Sequence, residues 1–447
     1  HCISSAASDV YKRQVPMDPK LMFASYDFYG PELNEVPASG TLPEERLPEG
    51  VKKPLLFTPI DVPSGNKTVT LKNRAAVAPM CMYSAKDGFV TPFHHVHHGS
   101  FALHGAGTIM VEASAVSPEG RISYRDLGIY REEHVAAHEA LVHNIRHLSK
   151  DVYFGIQLAH AGRKASTWPP YQMFAPDFEK RSHGRPYMRE EDGGFDKNVY
   201  GPSPIPYNEG HIVPHELTLE QIKQVEDDFV HAADRAFRAG YDFVQVHCAH
   251  GYLISEFNSP ISNHRTDEYG GSFENRTRLM LNIVRRIRAQ FPDKGLWVRL
   301  NGKDGIDDEN PENSWTYEST KQIAPLLEEA GADLLDLSSG GVTSLKFLSK
   351  PGYQIQGALS AKEGKLKHMK VSSVGVLQGG NKEHPDKEGF FAEECLQKGD
   401  IDLVFIGRGF LRNPAWVETA CRNLTGQHPI GALQYGYTFP SLDRASR

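Results

Sequence analysis

Short continuous apolar runs recur along the chain, and each is followed by a stretch of helical period. The runs are AAVAP (75–79), TIMVEA (108–113), VYFGIQL (152–158), DFVQVH (242–247), LWVRL (296–300), ADLLDLS (332–338), SSVGVL (372–377) and IDLVFIG (401–407). They do not alternate apolar with polar. Strands buried on both faces of a parallel sheet read this way. The segment at 217–240 is the clearest helix, with an acidic first half, apolar residues at helical spacing and a Gly stop. The segment at 272–291 is another, with Ser272 placed to cap it. Eight strand-then-helix units predict an α/β fold of the (β/α)8, or TIM, barrel class. The rival is a doubly wound open sheet, and the lack of a G-x-G-x-x-G motif after the first strand counts against it.

Two features lie outside this rhythm. LLFTPIDV and KTVTL flank a Pro-Ser-Gly-Asn turn, which predicts an N-terminal hairpin before the first barrel strand. Residues 164 to 217, after strand three, are rich in prolines, aromatics and charges without a helix period. They read as a long loop excursion over the barrel mouth. The organisation is then a non-native leader at 1–16, an irregular arm at 17–54, the barrel at 55–425 and a tail at 426–447. A mitochondrial targeting segment is the rival reading of the leader.

Composition narrows the partners. The net charge is −7 and the isoelectric point is near 6.3, which disfavours nucleic acid or an anionic membrane as the main partner. No run of eighteen apolar residues is present to span a bilayer. Five scattered cysteines without a C-x-x-C pair read as reduced thiols in a cytoplasmic protein, not as a disulfide or zinc framework.

In such a barrel the chemistry sits where strands end at their C-terminal side. Pro79, Met80, Cys81 and Tyr83 follow strand one, and Glu112 with Ala113 closes strand two. Gln157, His247, Arg299 and Ser338 close the next four, followed by Gly379 with Gly380 and Gly407 with Arg408. Gly-rich turns expose backbone N–H groups, and Arg408 adds a charge-assisted clamp, so this end of the rim suits a phosphate. The stretch HCAHGYL (247–253) sets two imidazoles three residues apart with a phenol beyond. From spacing alone His247 and His250 are metal ligands, packed core groups or hydrogen-bond donors to a substrate. The tract FHHVHHG (93–99) falls where a helix begins, and helix-spaced packing or surface histidines explain it.

The segments APMCMYS (78–84), VEASAVSPEGR (111–121), GIQLAHAGRKA (155–165), the string at 247–276 and FIGRGFLRNP (405–414) resemble the old yellow enzyme family of FMN-dependent ene-reductases. The resemblance runs from about residue 56 to about residue 434, and PMCMY with H-x-x-H-x-Y points to the thermophilic-like branch. It implies non-covalent FMN, reduced by NADPH or NADH, and small enone or enal acceptors. It places Ala78, Pro79, Met80 and Cys81 along the flavin, Ala113 near it and Gln157 on its pyrimidine edge. Arg299 approaches the carbonyl that gains charge on reduction, and Gly407, Arg408, Gly379 and Gly380 surround the phosphate. His247 and His250 become donors to the acceptor's carbonyl oxygen, an effect worth roughly 10²–10³ in rate per donor. Tyr252 becomes the proton donor, and Tyr83 contacts substrate from the other side. No metal is implied.

Some positions depart from the family pattern. Ala78 stands where a small hydroxyl residue is frequent, and Tyr437 where the branch often carries an arginine reaching into a neighbouring subunit. A homo-oligomer is therefore expected only in outline. A flavin-free, metal-dependent barrel lyase or hydrolase built on His247 and His250 is the alternative function, and a non-catalytic flavin-binding protein is a further one.

Overall fold

Each of the eight apolar runs forms a strand, and the eight close into one ring. The computed structural model describes residues 38–149, 151–305, 310–344, 349–432 and 434–435. The leader, residues 17–37 of the arm and Tyr437 lie outside them. The strands in chain order are β1 (Ile60–Ser64), β2 (Lys67–Leu71), β3 (Ala75–Val77), β4 (Thr108–Ala115), β5 (Tyr153–Ala159) and β6 (Tyr200–Gly201). They continue with β7 (His215–Glu216), β8 (Phe243–Cys248), β9 (Gly295–Asn301), β10 (Leu334–Ser338), β11 (Lys370–Ser373) and β12 (Leu403–Ile406). The barrel order is β3-β4-β5-β8-β9-β10-β11-β12, parallel throughout and closed by β12 against β3.

The helices follow the expected logic. Helix Leu219–Arg238 starts at Thr218, whose hydroxyl accepts from Gln221 N while Gln221 returns the bond to Thr218 N. It buries Ile222, Val225, Phe229, Ala233 and Ala236, one side of a 3.6-residue period. Helix Phe273–Gln290 is capped by Ser272 accepting from Asn275 N, as the sequence predicts.

One strand differs from its apolar run. The run at 372–377 enters the sheet only as far as Ser373. Gly375 takes φ 117° and Val376 φ 56°, which no strand accommodates. Val374, Gly375 and Val376 leave the ladder and line a cavity at the barrel mouth instead.

Aromatic side chains fill the N-terminal end of the barrel. Phe243 stacks on Tyr153 at 4.8 Å and lies 3.9 Å from the Trp297 ring, centroid to centroid. Room for Phe243 comes from glycine: a Cβ on Gly155 would stand 2.3 Å from Phe243 Cζ. The β1–β2 hairpin closes this end, with Ile60, Val62 and Leu71 packed into the same cluster as Trp297, Leu403 and Phe405. Gly65 N at the hairpin turn donates to Asp333 Oδ1 and Asn66 N to Pro292 O, fastening the turn to the barrel base.

The excursion after β5 contains no helix longer than five residues and only the two-residue pair β6 and β7. Its Phe195, Val199 and Ile212 pack with Ile122, Ala161 and Ala165, and Cys81, Tyr83 and Tyr252 lean on that cluster. It therefore covers part of the mouth. Among the described residues, no helix is long and apolar enough to cross a membrane.

The histidine tract forms helix Pro92–Leu103 and turns His94 and His98 inward. Burial pushes His94 and His97 down to about 4, and His138, held between Tyr241 and the Gly128 carbonyl, to about 3. Burial also pushes Asp126 up to about 7 and Glu112 and Glu256 to about 8. Below the ordinary imidazole value of about 6.5 the unfolded chain gains protons that the buried imidazoles refuse. The raised carboxyls act in the opposite sense but are outnumbered, because burial also holds down His98, His134, His160, His247 and His250. Thermal unfolding followed from pH 7 down to pH 4.5 is expected to give a falling Tm; a flat or rising Tm would contradict the burial of neutral imidazoles.

Candidate active site

Strand periodicity carries side chains into the barrel two residues apart. β8 contributes Phe243, Gln245 and His247; β5 contributes Tyr153 and Gln157; β9 contributes Trp297 and Arg299; β10 contributes Leu334, Asp336 and Ser338. The first of each set joins the aromatic floor. The next forms a buried polar layer above it. Gln157 Nε2 donates to Gln245 Oε1 at 2.6 Å, and Gln245 Nε2 to Asp336 Oδ2 at 3.2 Å. Arg299 Nε donates to the same oxygen at 2.6 Å, its Nη2 lies 2.5 Å away, and Ser372 Oγ donates to Asp336 Oδ1 at 3.2 Å. Full burial lifts the Asp336 carboxyl and the Arg299 guanidinium pulls it back. Register sets the layer, since Asp336 pairs laterally with Arg299 and with Ser372, and Gln157 with Gln245.

Above the layer lies a cavity of about 240 Å³. Ala78, Pro79 and Met80 form one wall, Arg299, His250 and Ser338 another, and Val374 to Val376 with Gly407 and Arg408 a third. The exposed Arg408 has no acidic partner among the described residues. The buried Gln354 Oε1 also faces this cavity without a hydrogen-bond partner. A cavity that presents a guanidinium, an unmet amide oxygen and a glycine at position 407 suits a flat polar ligand bearing an anion. The helix after β12, Arg408–Arg412, has only five residues, so little dipole stands behind the anion site.

The rim beside the cavity holds the histidine pair. The His247 and His250 rings are 5.1 Å apart, and the Tyr252 ring lies 5.1 Å from His247. His247 is adjacent to Arg299 in the β8–β9 register. Burial drives His247 well below the ordinary imidazole range and His250 to about 3, so both rings are neutral. Ala249 N donates to His247 Nδ1 at 3.2 Å, which leaves the proton on Nε2. His250 Nε2 meets Ser338 Oγ at 2.7 Å.

His250 sits at φ 63°, an uncommon conformation for a side-chain-bearing residue. Asn301 Oδ1 accepts from its N–H at 3.0 Å, and Lys164 Nζ donates to its carbonyl at 2.8 Å. The next residue must be glycine: a Cβ on Gly251 would stand 2.0 Å from Gly341 O. Lys164 Nζ also lies 4.9 Å from the Tyr252 ring centroid. Burial raises the phenols of Tyr252 and Tyr83 well above their usual value, and it raises the Cys81 thiol, aided by Asp126 and Glu112. Glu112 occupies a bulge in β4 between Val111 and Ala113, and its Oε1 accepts from Met82 N, pinning the segment that carries Cys81 and Tyr83.

Of the residues singled out from sequence, Ala78, Pro79, Met80, Arg299, His250, Gly407 and Arg408 line one cavity. Gln157 belongs to the polar layer beneath it, and Ala113 pairs laterally with Gln157. Cys81, Tyr83 and Tyr252 share the cluster under the excursion. Gly379 and Gly380 do not line the cavity: the chain has already turned at Gly375 and Val376, which take that wall. Sequence reasoning missed Gln245, Asp336, Ser372, Gln354 and Lys164. Counting back by two from His247 and Ser338 points to Gln245 and Asp336, whereas Gln354 and Lys164 sit on irregular backbone with no such signal.

The sequence pattern of the NADH:flavin oxidoreductase / NADH oxidase family matches residues 55–427. An NADH:flavin oxidoreductase of Gibberella zeae is 39% identical over 380 residues, covering 83% of this chain and 86% of that protein. An NADPH dehydrogenase of Bacillus subtilis is 39% identical over 382 residues, covering 85% of this chain and 98% of that protein. Among solved structures, morphinone reductase matches with a TM-score of 0.62 at 23% identity, over 89% of this chain and 99% of its own. A 2-naphthoyl-CoA reductase in complex with 2-naphthoyl-CoA matches with a TM-score of 0.67 at 24% identity, over 82% of this chain, which spans 52% of that one. At these identities the two structures bear on the fold alone.

Replacing Asp336 by Asn would leave the Arg299 guanidinium buried without a counter-charge. A loss of about 3 kcal/mol in unfolding free energy is expected in denaturant titration. A loss below about 1 kcal/mol would show that the pair does not hold the layer.

Proposed function

The chain belongs to the NADH:flavin oxidoreductase / NADH oxidase family, the old yellow enzymes, and from that premise we propose that it reduces the C=C bond of α,β-unsaturated carbonyl compounds. It is an FMN-dependent oxidoreductase whose reductant is a reduced nicotinamide. Membership in a flavin-dependent family is at odds with the alternative of a flavin-free, metal-dependent lyase or hydrolase. The observation that carries the finer reading is two neutral imidazoles beside a protonated phenol, with His250 and Arg299 lining the same cavity.

Ala78, Pro79, Met80, Gln157, Arg299, Gly407 and Arg408 would hold the FMN, with Cys81 and Ala113 close by. Gly375 and Val376 take the part that Gly379 and Gly380 were expected to play. When bound, FMN would supply hydride transfer between the nicotinamide and the alkene's β carbon. Arg299 supplies a fixed positive charge, which favours an anionic reduced ring. Asp336 aims that guanidinium, accepting from its Nε at 2.6 Å.

His247 offers Nε2–H to the acceptor's carbonyl oxygen. When Ser338 donates its hydroxyl proton to His250 Nε2, His250 offers Nδ1–H as the second donor. Two neutral donors stabilise enolate charge without holding an anion in the ground state. Tyr252 keeps its proton through the neutral range and delivers it to the α carbon. Tyr83, packed against the same cluster as Tyr252, contacts substrate, and Phe195, Val199 and Ile212 exclude water from above. A cytoplasmic location accords with the free thiols of Cys81, Cys248, Cys395 and Cys421, and the family resemblance supports self-association, which sedimentation velocity checks.

Stopped-flow measurement of the two half-reactions tests the assignment. Tyr252→Phe is expected to slow reduction of 2-cyclohexenone roughly 10²-fold while flavin reduction by NADPH stays within about twofold of the parent. Equal losses in both halves would remove Tyr252 from the proton-donor role.

A further inference from the structure

A second cleft, of about 320 Å³, opens between the end of β5 and helix Leu219–Arg238, apart from the flavin cavity. Glu119, His160, Tyr200, Gln221, Gln224 and Asp228 face it. Its volume is at the lower end of small-molecule sites. We propose that this cleft binds a small organic ammonium ion that also carries an oxygen acceptor, such as an amino alcohol.

Charge supplies the first argument. Neither Glu119 nor Asp228 has a salt-bridge partner among the described residues, and no lysine or arginine lines the cleft. Asp228 Oδ1 accepts only from Gln224 Nε2, at 2.9 Å. Burial, with the Glu119 carboxylate nearby, pushes the Asp228 carboxyl above its usual range, so the two acids repel each other across the cleft. An ammonium group with three donors can serve both.

His160 supplies the second, independent argument. It is 3% exposed and faces the cleft. Its Nδ1 accepts from Gly162 N at 3.1 Å, so the ring proton sits on Nε2. That N–H has no hydrogen-bond partner among the described residues, and the ring lines the cleft. It calls for an acceptor atom on the ligand.

The same tautomer argues against a metal ion. A ligating imidazole normally donates its second N–H to an acceptor, which leaves the other nitrogen bare for the metal. Here Nδ1 accepts and Nε2 carries the proton. Among the described residues no three His, Cys, Asp or Glu side chains gather closely enough to hold one ion.

The cleft lies close to the rim. His160 O accepts from Leu253 N at 3.0 Å, the residue after Tyr252. Occupancy is nonetheless tested by binding alone, independently of the flavin reaction.

Calorimetric titration of the FMN-loaded protein with 4-aminobutan-1-ol should give saturable binding. 1,4-Butanediol, which lacks the charge, and butylamine, which lacks the acceptor, should each bind more weakly. The double variant Glu119→Gln with Asp228→Asn should weaken the amino alcohol about tenfold or more. Thermal unfolding of the parent with and without ligand gives a second reading, because a ligand of the folded state raises Tm. The proposal is overturned by no binding up to about 10 mM, by equal affinity for the diol, or by unchanged affinity in a folded double variant.

Discussion

A charge pair removed from water in the middle of the barrel organises this molecule. Arg299 and Asp336 could not sit there separately, because an unpaired buried charge costs several kcal/mol. Together, and tied to Gln245, Gln157 and Ser372, they join five strands laterally. The layer separates two environments. Beneath it the interior is aromatic; above it a cavity opens with the guanidinium on one wall. The guanidinium is thus held by backbone register, not by a loop.

The architecture was readable because burial on both faces forces continuous apolar runs, and these are hard to mistake when they recur with helices between them. The ends of the runs were less secure. At 372–377 the apolar letters continue past the strand, since Val374 and Val376 are half-buried along a cavity wall and not in the ladder. That slip placed the expected glycine turn at Gly379 and Gly380, whereas the chain turns already at Gly375 and Val376. Position on a strand end was enough to gather Arg299, His247 and Gln157. Residues that act through irregular backbone, such as Lys164 on the His250 carbonyl, leave no periodic trace. The bulge at Glu112 is similarly silent in sequence, because one extra residue in a buried run looks like any other.

Burial does two kinds of work at the mouth. It holds the imidazoles neutral and the phenols protonated, so that the rim presents donors throughout the neutral range. It is achieved by an excursion with almost no regular structure, whose few apolar side chains settle on Tyr83 and Tyr252. Rigid strands thus set the charges, while the cover over the mouth comes from the segment whose length and shape can vary most freely.

The β1–β2 hairpin has a bearing on how this barrel can be re-engineered. Its strands are not among the eight, yet Ile60, Val62 and Leu71 are the stopper on the aromatic interior. A minimal barrel cut to begin at Ala75 would keep every ring strand and still be an open tube at its base. Solvent would then reach Tyr153, Phe243 and Trp297, and the uncovered ring faces would become a sticky patch inviting self-adhesion. Any transplant of this active site onto a shorter scaffold must carry a lid for the opposite end of the cylinder.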